Sequence, residues 1–123
     1  MTHNVFVYGT LKSKNAVRGL NSCFYGAKYI SEATTEDSVY DMVNMGPFPA
    51  AVLNGEHKIK GEFYQVDSET MEVLDQIEGY PHFYDRTRVK TDVGDAWMYY
   101  IPDVSGYKAA PINPQEGVLE WTD

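Results

Sequence analysis

Along the chain, apolar positions come in short runs broken by turn-forming residues. Val5-Phe6-Val7-Tyr8, bounded by Asn4 and Gly9, has the look of a buried strand. The stretch "FYGAKYISEATT", residues 24–35, reads as a second strand interrupted by Gly26, and Ser38–Val43 as a third. Between the first two, Ser13 can cap a brief helical turn that Gly19 would stop. "NMGPFPAAVL" carries two prolines and reads as a loop entering a strand near Ala50–Leu53. Asn54-Gly55 signals a tight turn, and the alternation that follows predicts a strand over Ile59–Val66.

The period then changes. In "DSETMEVLDQIEGY", Met71, Leu74 and Ile77 recur at three-residue spacing with Val73 alongside, and acidic residues occupy the first turn. Gly79 stands where a helix would end, so the spacing predicts a helix over Ser68–Glu78. Two further strands follow, Tyr84–Thr91 and Ala96–Ile101, joined at Gly94. The tail beyond, with Pro102, Pro111 and Pro114, would be ordered only by docking on the body. The expected fold is α+β and mostly β: a small mixed β-barrel of about six strands with one main helix. It would form a single domain over residues 1–123, with the tail 103–123 docked on the barrel.

Composition narrows the function classes. A net charge of −8 and a pI near 4.7 repel phosphate backbones and anionic membrane surfaces, so neither nucleic acid nor membrane is expected as a partner. Cys23 stands alone, which precludes an intramolecular disulfide and suits a reducing compartment; a lone cysteine is usually a small hydrophobe. The opening "MTHNVFVYGT" has no basic n-region and no apolar run reaches membrane-spanning length, so the expected location is cytoplasmic.

Metal and nucleotide chemistry is disfavoured. There is no Cys-x-x-Cys or His-x-x-x-His pair and no glycine-rich phosphate loop, and His3, His57 and His82 are scattered. No serine sits in a Gly-x-Ser-x-Gly elbow. Two features remain. In "VYGTL", Gly9 lets the backbone turn off the strand, so that the following N–H groups can face a carboxylate or an oxyanion, with the Thr10 hydroxyl beside them. An ordinary strand-to-loop turn would carry the same residues. In "DQIEGYPHFY", Glu78 closes the helix amid Tyr80, Phe83 and Tyr84. Helix C-terminal carbonyls and apolar surroundings would both raise its pKa and suit it to proton transfer. A solvated surface glutamate is the plainer reading, and Asp75 is a rival carboxylate. Arg86 could pair with a buried acid or with a substrate carboxylate. Tyr99 and Tyr100 point to opposite faces of their strand, so one at most faces a cavity.

Taken in order, "FVYGTLK", "YDMVNMGPFPAAV", "IKGEFYQVDSETMEVLDQIEGYPHFYDRTRV" and "AWMYYI" resemble the gamma-glutamylcyclotransferase-like superfamily, in its branch of gamma-glutamylamine cyclotransferases and avirulence-induced-gene-2-like proteins. The resemblance covers roughly residues 4–101. It implies a small β-barrel with flanking helices. It also implies that the turn Tyr8-Gly9-Thr10-Leu11 binds the glutamyl part of a substrate through backbone groups, and that Glu78, rather than Asp75, is the catalytic acid/base. The implied reaction releases 5-oxoproline from a small gamma-glutamyl substrate with no cofactor or metal, and no oligomeric state is implied. The alternative is a non-catalytic module that binds a small ligand or a protein on the same scaffold.

Overall fold

The computed structural model describes residues 1–9 and 26–121. The helical turn expected between Ser13 and Gly19, together with Thr10, Leu11 and Cys23, lies outside the described residues. The described elements are β1 (Thr2–Val7), β2 (Ala27–Thr34), β3 (Tyr40–Asn44), β4 (Pro49–Leu53), β5 (Lys58–Asp67), α1 (Ser68–Glu78), β6 (Asp85–Lys90), β7 (Asp95–Tyr100), β8 (Ala110–Pro111) and β9 (Val118–Leu119). Among the described residues the class is the expected one, mostly β with one main helix.

The larger sheet runs β2-β5-β1-β7-β6, and β9 pairs with β5 off that path. β1 lies at its centre, antiparallel to β5 and parallel to β7 through Val5 and Trp97. Successive residues of a strand face opposite sides. Val5 and Val7 therefore join Tyr64, Met71, Leu74 and Tyr99 in one core, while Phe6 and Tyr8 join Phe63, Ile59 and Met98 in the other. This two-sided burial is why β1 is a continuous apolar run rather than an alternating one.

The smaller sheet, β4-β3-β8, is a ladder of Tyr40–Asn44 against Pro49–Leu53 with β8 on its other side. Pro49 opens β4, the strand position a proline tolerates. The Asn54-Gly55 turn does not close a hairpin between neighbours. It carries the chain from the small sheet to β5 in the large one, with Asn54 at φ 64°. The proline-rich tail contributes β8 and β9, two-residue strands that no periodicity signalled.

Barrel closure is the part of the expectation not seen: among the described residues neither sheet closes on itself. The edge strands β2 and β6 converge only where Thr35 bridges Thr91, supported by Glu36 N–H to the Lys90 carbonyl at 2.9 Å and Asp92 N–H to the Thr34 carbonyl at 3.0 Å. The need to remove edges was the reason to expect closure. Here charged side chains protect them instead: Lys28 and Glu32 on β2, Asp85, Arg88 and Lys90 on β6.

α1 is tightly delimited. The Asp67 carboxylate accepts the Thr70 N–H at 2.8 Å as N-cap. At the other end Gly79 adopts φ 67°, ψ 33°, donating to the Gln76 carbonyl while Tyr80 N–H reaches the Asp75 carbonyl at 2.9 Å. That pair of bonds is a Schellman termination, and it needs a residue free of a β-carbon penalty at Gly79.

Candidate functional site

The inward face of α1 is not the one the three-residue spacing picked out. Met71 and Leu74 are buried, but Ile77 is 57 % exposed. At ~3.6 residues per turn, Glu78 stands about 20° round the axis from Met71, whereas Ile77 stands about 120° away. Glu78 therefore takes the inward position a hydrophobe would ordinarily hold. Its carboxylate is half-buried, and no residue among those described donates to it or pairs with it. Burial alone raises its pKa from the ordinary carboxylate range to about 7. The helix terminus, invoked above as a second cause, is not needed.

The Glu78 charge is felt by three phenols. It contributes to raising the pKa values of Tyr8, Tyr84 and Tyr99, with burial the largest cause for each. Tyr8 is the last residue before the glycine turn, so the structure brings the start of that turn and Glu78 into one electrostatic neighbourhood. The Tyr8 hydroxyl itself is committed to the protein: it donates to the Tyr99 carbonyl at 2.8 Å and accepts the Ala51 N–H at 2.8 Å. This phenol ties the end of β1 to β4 and β7.

Gly9 is required for space rather than for an unusual backbone angle. A β-carbon there would stand 3.0 Å from Cγ and 3.1 Å from Cδ of Pro49. The Pro49 carbonyl in turn accepts the Tyr84 hydroxyl at 2.7 Å. The turn, the first residue of β4 and Tyr84 thus form one packed unit. Sequence reasoning missed the part played by Pro49 and Ala51. The available signal was "PAA", small residues that let another backbone approach closely.

Asp75 has the opposite surroundings to Glu78. Nη1 of Arg86 donates to both of its oxygens at 2.8 Å, and the Tyr99 hydroxyl donates to Oδ1 at 2.7 Å. The guanidinium lies over the rings of Tyr80 and Trp97, 4.5 Å and 4.8 Å from their centroids. Arg86 is therefore committed to a structural ion pair. Tyr99 points to this cluster and Tyr100 to the other side, towards Asp85, as their alternation requires. Thr10 and Leu11, the remaining candidates, fall outside the described residues.

A carboxylate whose pKa burial pushes up to about 7, with no partner among the described residues, can take up and release a proton near neutrality. Comparison with known proteins gives the family of the chain. Residues 5–121 match the family described as gamma-glutamyl cyclotransferase, AIG2-like, and the chain belongs to it. It is 33 % identical over 121 residues to gamma-glutamylaminecyclotransferase C of zebrafish, covering 92 % of this chain and 79 % of that one. A gamma-glutamylcyclotransferase family protein of Escherichia coli is 31 % identical over 105 residues, covering 85 % of this chain and 88 % of the relative. Among solved structures, an uncharacterized protein of Pyrococcus horikoshii superposes with a TM-score of 0.70 at 30 % identity, covering 89 % of this chain and 85 % of that one. Among the described residues, no helix is long and apolar enough to cross a membrane.

Proposed function

We propose that this chain is a gamma-glutamyl cyclotransferase acting on a small gamma-glutamyl compound, with Glu78 as its acid/base. The observation that carries this reading is the half-buried Glu78 carboxylate, without a partner among the described residues and with its pKa pushed up to about 7 by burial, whose charge reaches the Tyr8 phenol. The substrate brings its own nucleophile. Its α-amine nitrogen attacks the γ-carbonyl carbon, a C–N bond forms to close the five-membered ring, and the original amide C–N bond breaks. The α-amine attacks in its neutral form; Glu78 accepts the proton from the nitrogen made cationic by the attack and returns it to the departing nitrogen, so 5-oxoproline and a neutral free amine leave with every proton accounted for.

Ring closure is intramolecular, so the main demands are to hold the folded conformer and to move one proton. The Tyr8-Gly9-Thr10-Leu11 backbone would anchor the substrate carboxylate or the developing oxyanion. A carboxylate titrating near 7 suits both proton steps, because at neutral pH neither form is scarce. No cofactor takes part in this scheme. The zebrafish relative's name points to gamma-glutamylamines as the substrate class. The lone cysteine and acidic surface fit a single-domain protein of the cytoplasm.

The test is incubation of the purified protein with gamma-glutamyl amines and dipeptides, reading 5-oxoproline by mass spectrometry, with Glu78→Gln in parallel. Product from the parent chain and a loss of at least about a hundredfold in the variant support the assignment. Equal product from both removes Glu78 from its role, and no product from any substrate favours the binding-module alternative.

A further inference from the structure

Four aromatic rings from three separate segments meet near the end of α1. Phe83 packs edge-on against Tyr84 at 5.2 Å and against Tyr107 at 5.7 Å, while Phe48 lies 6.1 Å from Phe83 and 6.3 Å from Tyr84. The segments are fastened to the site from both sides. Phe48 directly precedes Pro49, the residue against which Gly9 closes. The Tyr84 N–H donates to the Glu78 carbonyl at 3.2 Å and the Phe83 N–H to the Gly79 carbonyl at 2.7 Å. Phe48 and Phe83 are half-buried, and the outermost ring, Tyr107, is 48 % exposed. Tyr84, with its hydroxyl on the Pro49 carbonyl, already belongs to the site; the other three rings have no part in the proton transfer or the glutamyl anchor.

Resting on the cyclotransferase reading, we infer that Phe48, Phe83 and Tyr107 form the leaving-group subsite and select gamma-glutamyl amides whose departing amine carries an uncharged aromatic or branched-alkyl body. The placement follows from the proton path. Glu78 must reach the departing nitrogen, and its charge is felt by the Tyr84 phenol, on whose ring Phe48 and Phe83 pack, with Tyr107 beyond them on Phe83, so what that nitrogen carries would extend towards these rings. The glutamyl half carries the carboxylate that the backbone N–H groups of the turn would hold, and it has no use for an aromatic wall. Apolar rings left partly open beside a reacting centre are the ordinary lining of a small-molecule subsite, and aromatic partners add edge-to-face contacts. A leaving group with its own carboxylate meets a chain of net charge −8.

The experiment compares kcat/KM for gamma-glutamyl-benzylamide, gamma-glutamyl-methylamide and gamma-glutamyl-glycine, read as 5-oxoproline, in the parent chain and in Tyr107→Ala and Phe83→Leu. Tyr107 is exposed and the leucine keeps apolar volume at Phe83, so both variants retain the fold; a matching circular dichroism spectrum checks this. The benzylamide is expected to exceed the other two by about tenfold or more in the parent, and the benzylamide-to-methylamide ratio to fall several-fold in each variant. Equal turnover of all three, or a ratio unmoved by both substitutions, overturns the subsite while leaving the cyclotransferase reading intact. No 5-oxoproline from any of the three overturns both.

Discussion

Asp75 and Glu78 sit three residues apart on the inward side of one helix and have opposite surroundings. Arg86 and Tyr99 donate three hydrogen bonds to the Asp75 carboxylate, whereas none of the described residues donates to that of Glu78. One carboxylate is locked as structure and the other is left to titrate, which is how a protein assigns different tasks to two like groups.

The locked carboxylate makes a stability prediction. Asp75→Asn leaves the Arg86 charge stacked between Tyr80 and Trp97 with no counter-ion. Fully buried pairs cost roughly 3–5 kcal/mol when broken this way. Here both side chains keep 20 % exposure, so a loss of about 2 kcal/mol is expected in urea unfolding. Replacing both partners, as in Asp75→Leu with Arg86→Met, should recover a large part of it.

Helix orientation is tested by two substitutions. Leu74→Ala empties a fully buried position and should cost about 3 kcal/mol. Ile77→Ala, at an exposed site, should stay within about 0.5 kcal/mol of the parent. Equivalent losses would mean that the helix presents Ile77, not Glu78, to the core.

Gly9→Ala forces the Pro49 ring to move by a few tenths of an ångström, and Pro49 holds Tyr84 through its carbonyl. A cost of about 1 kcal/mol in stability is expected. Because the shift falls at the turn proposed to anchor substrate, kcat/KM for 5-oxoproline release should drop by more than the loss of folded protein explains.

Burial of Glu78 also sets a pH dependence. Its folded pKa, about 7, lies above the ordinary carboxylate value, so the folded state holds this proton more tightly than the unfolded one. Folding is favoured by this group at low pH, and the advantage is lost as pH rises from about 4.5 through 7. Glu78→Gln carries no such titration. Its stability relative to the parent should rise by on the order of 2 kcal/mol between pH 5 and pH 8 in urea unfolding.

The helix was legible in the sequence because Asp67 and Gly79 act locally, through caps that depend on neighbouring residues alone. Its rotation was not. A three-residue spacing drew attention to Ile77, while the true inward row of Met71, Leu74 and Glu78 ends on a charged residue that apolar counting passes over. Gly9 stood out as a bare turn, yet its reason is a proline forty residues on, a contact no local pattern reports. Closure of the sheet follows as an expectation from the cost of open edges; among the described residues it is not seen, and charged residues line the edge strands β2 and β6. The proposed pairing of Glu78 with the glycine turn rests on motif order, since nothing in spacing or charge connects residues so far apart.

The most direct measurement is the titration of the Glu78 side chain itself, followed by the carbon-13 shift of its carboxyl group in glutamate-labelled protein and assigned by its loss in Glu78→Gln. The expected result is a midpoint near 7, far above that of the surface glutamates. A midpoint in the ordinary carboxylate range, near 4.5, would contradict a proton shuttle poised at neutral pH.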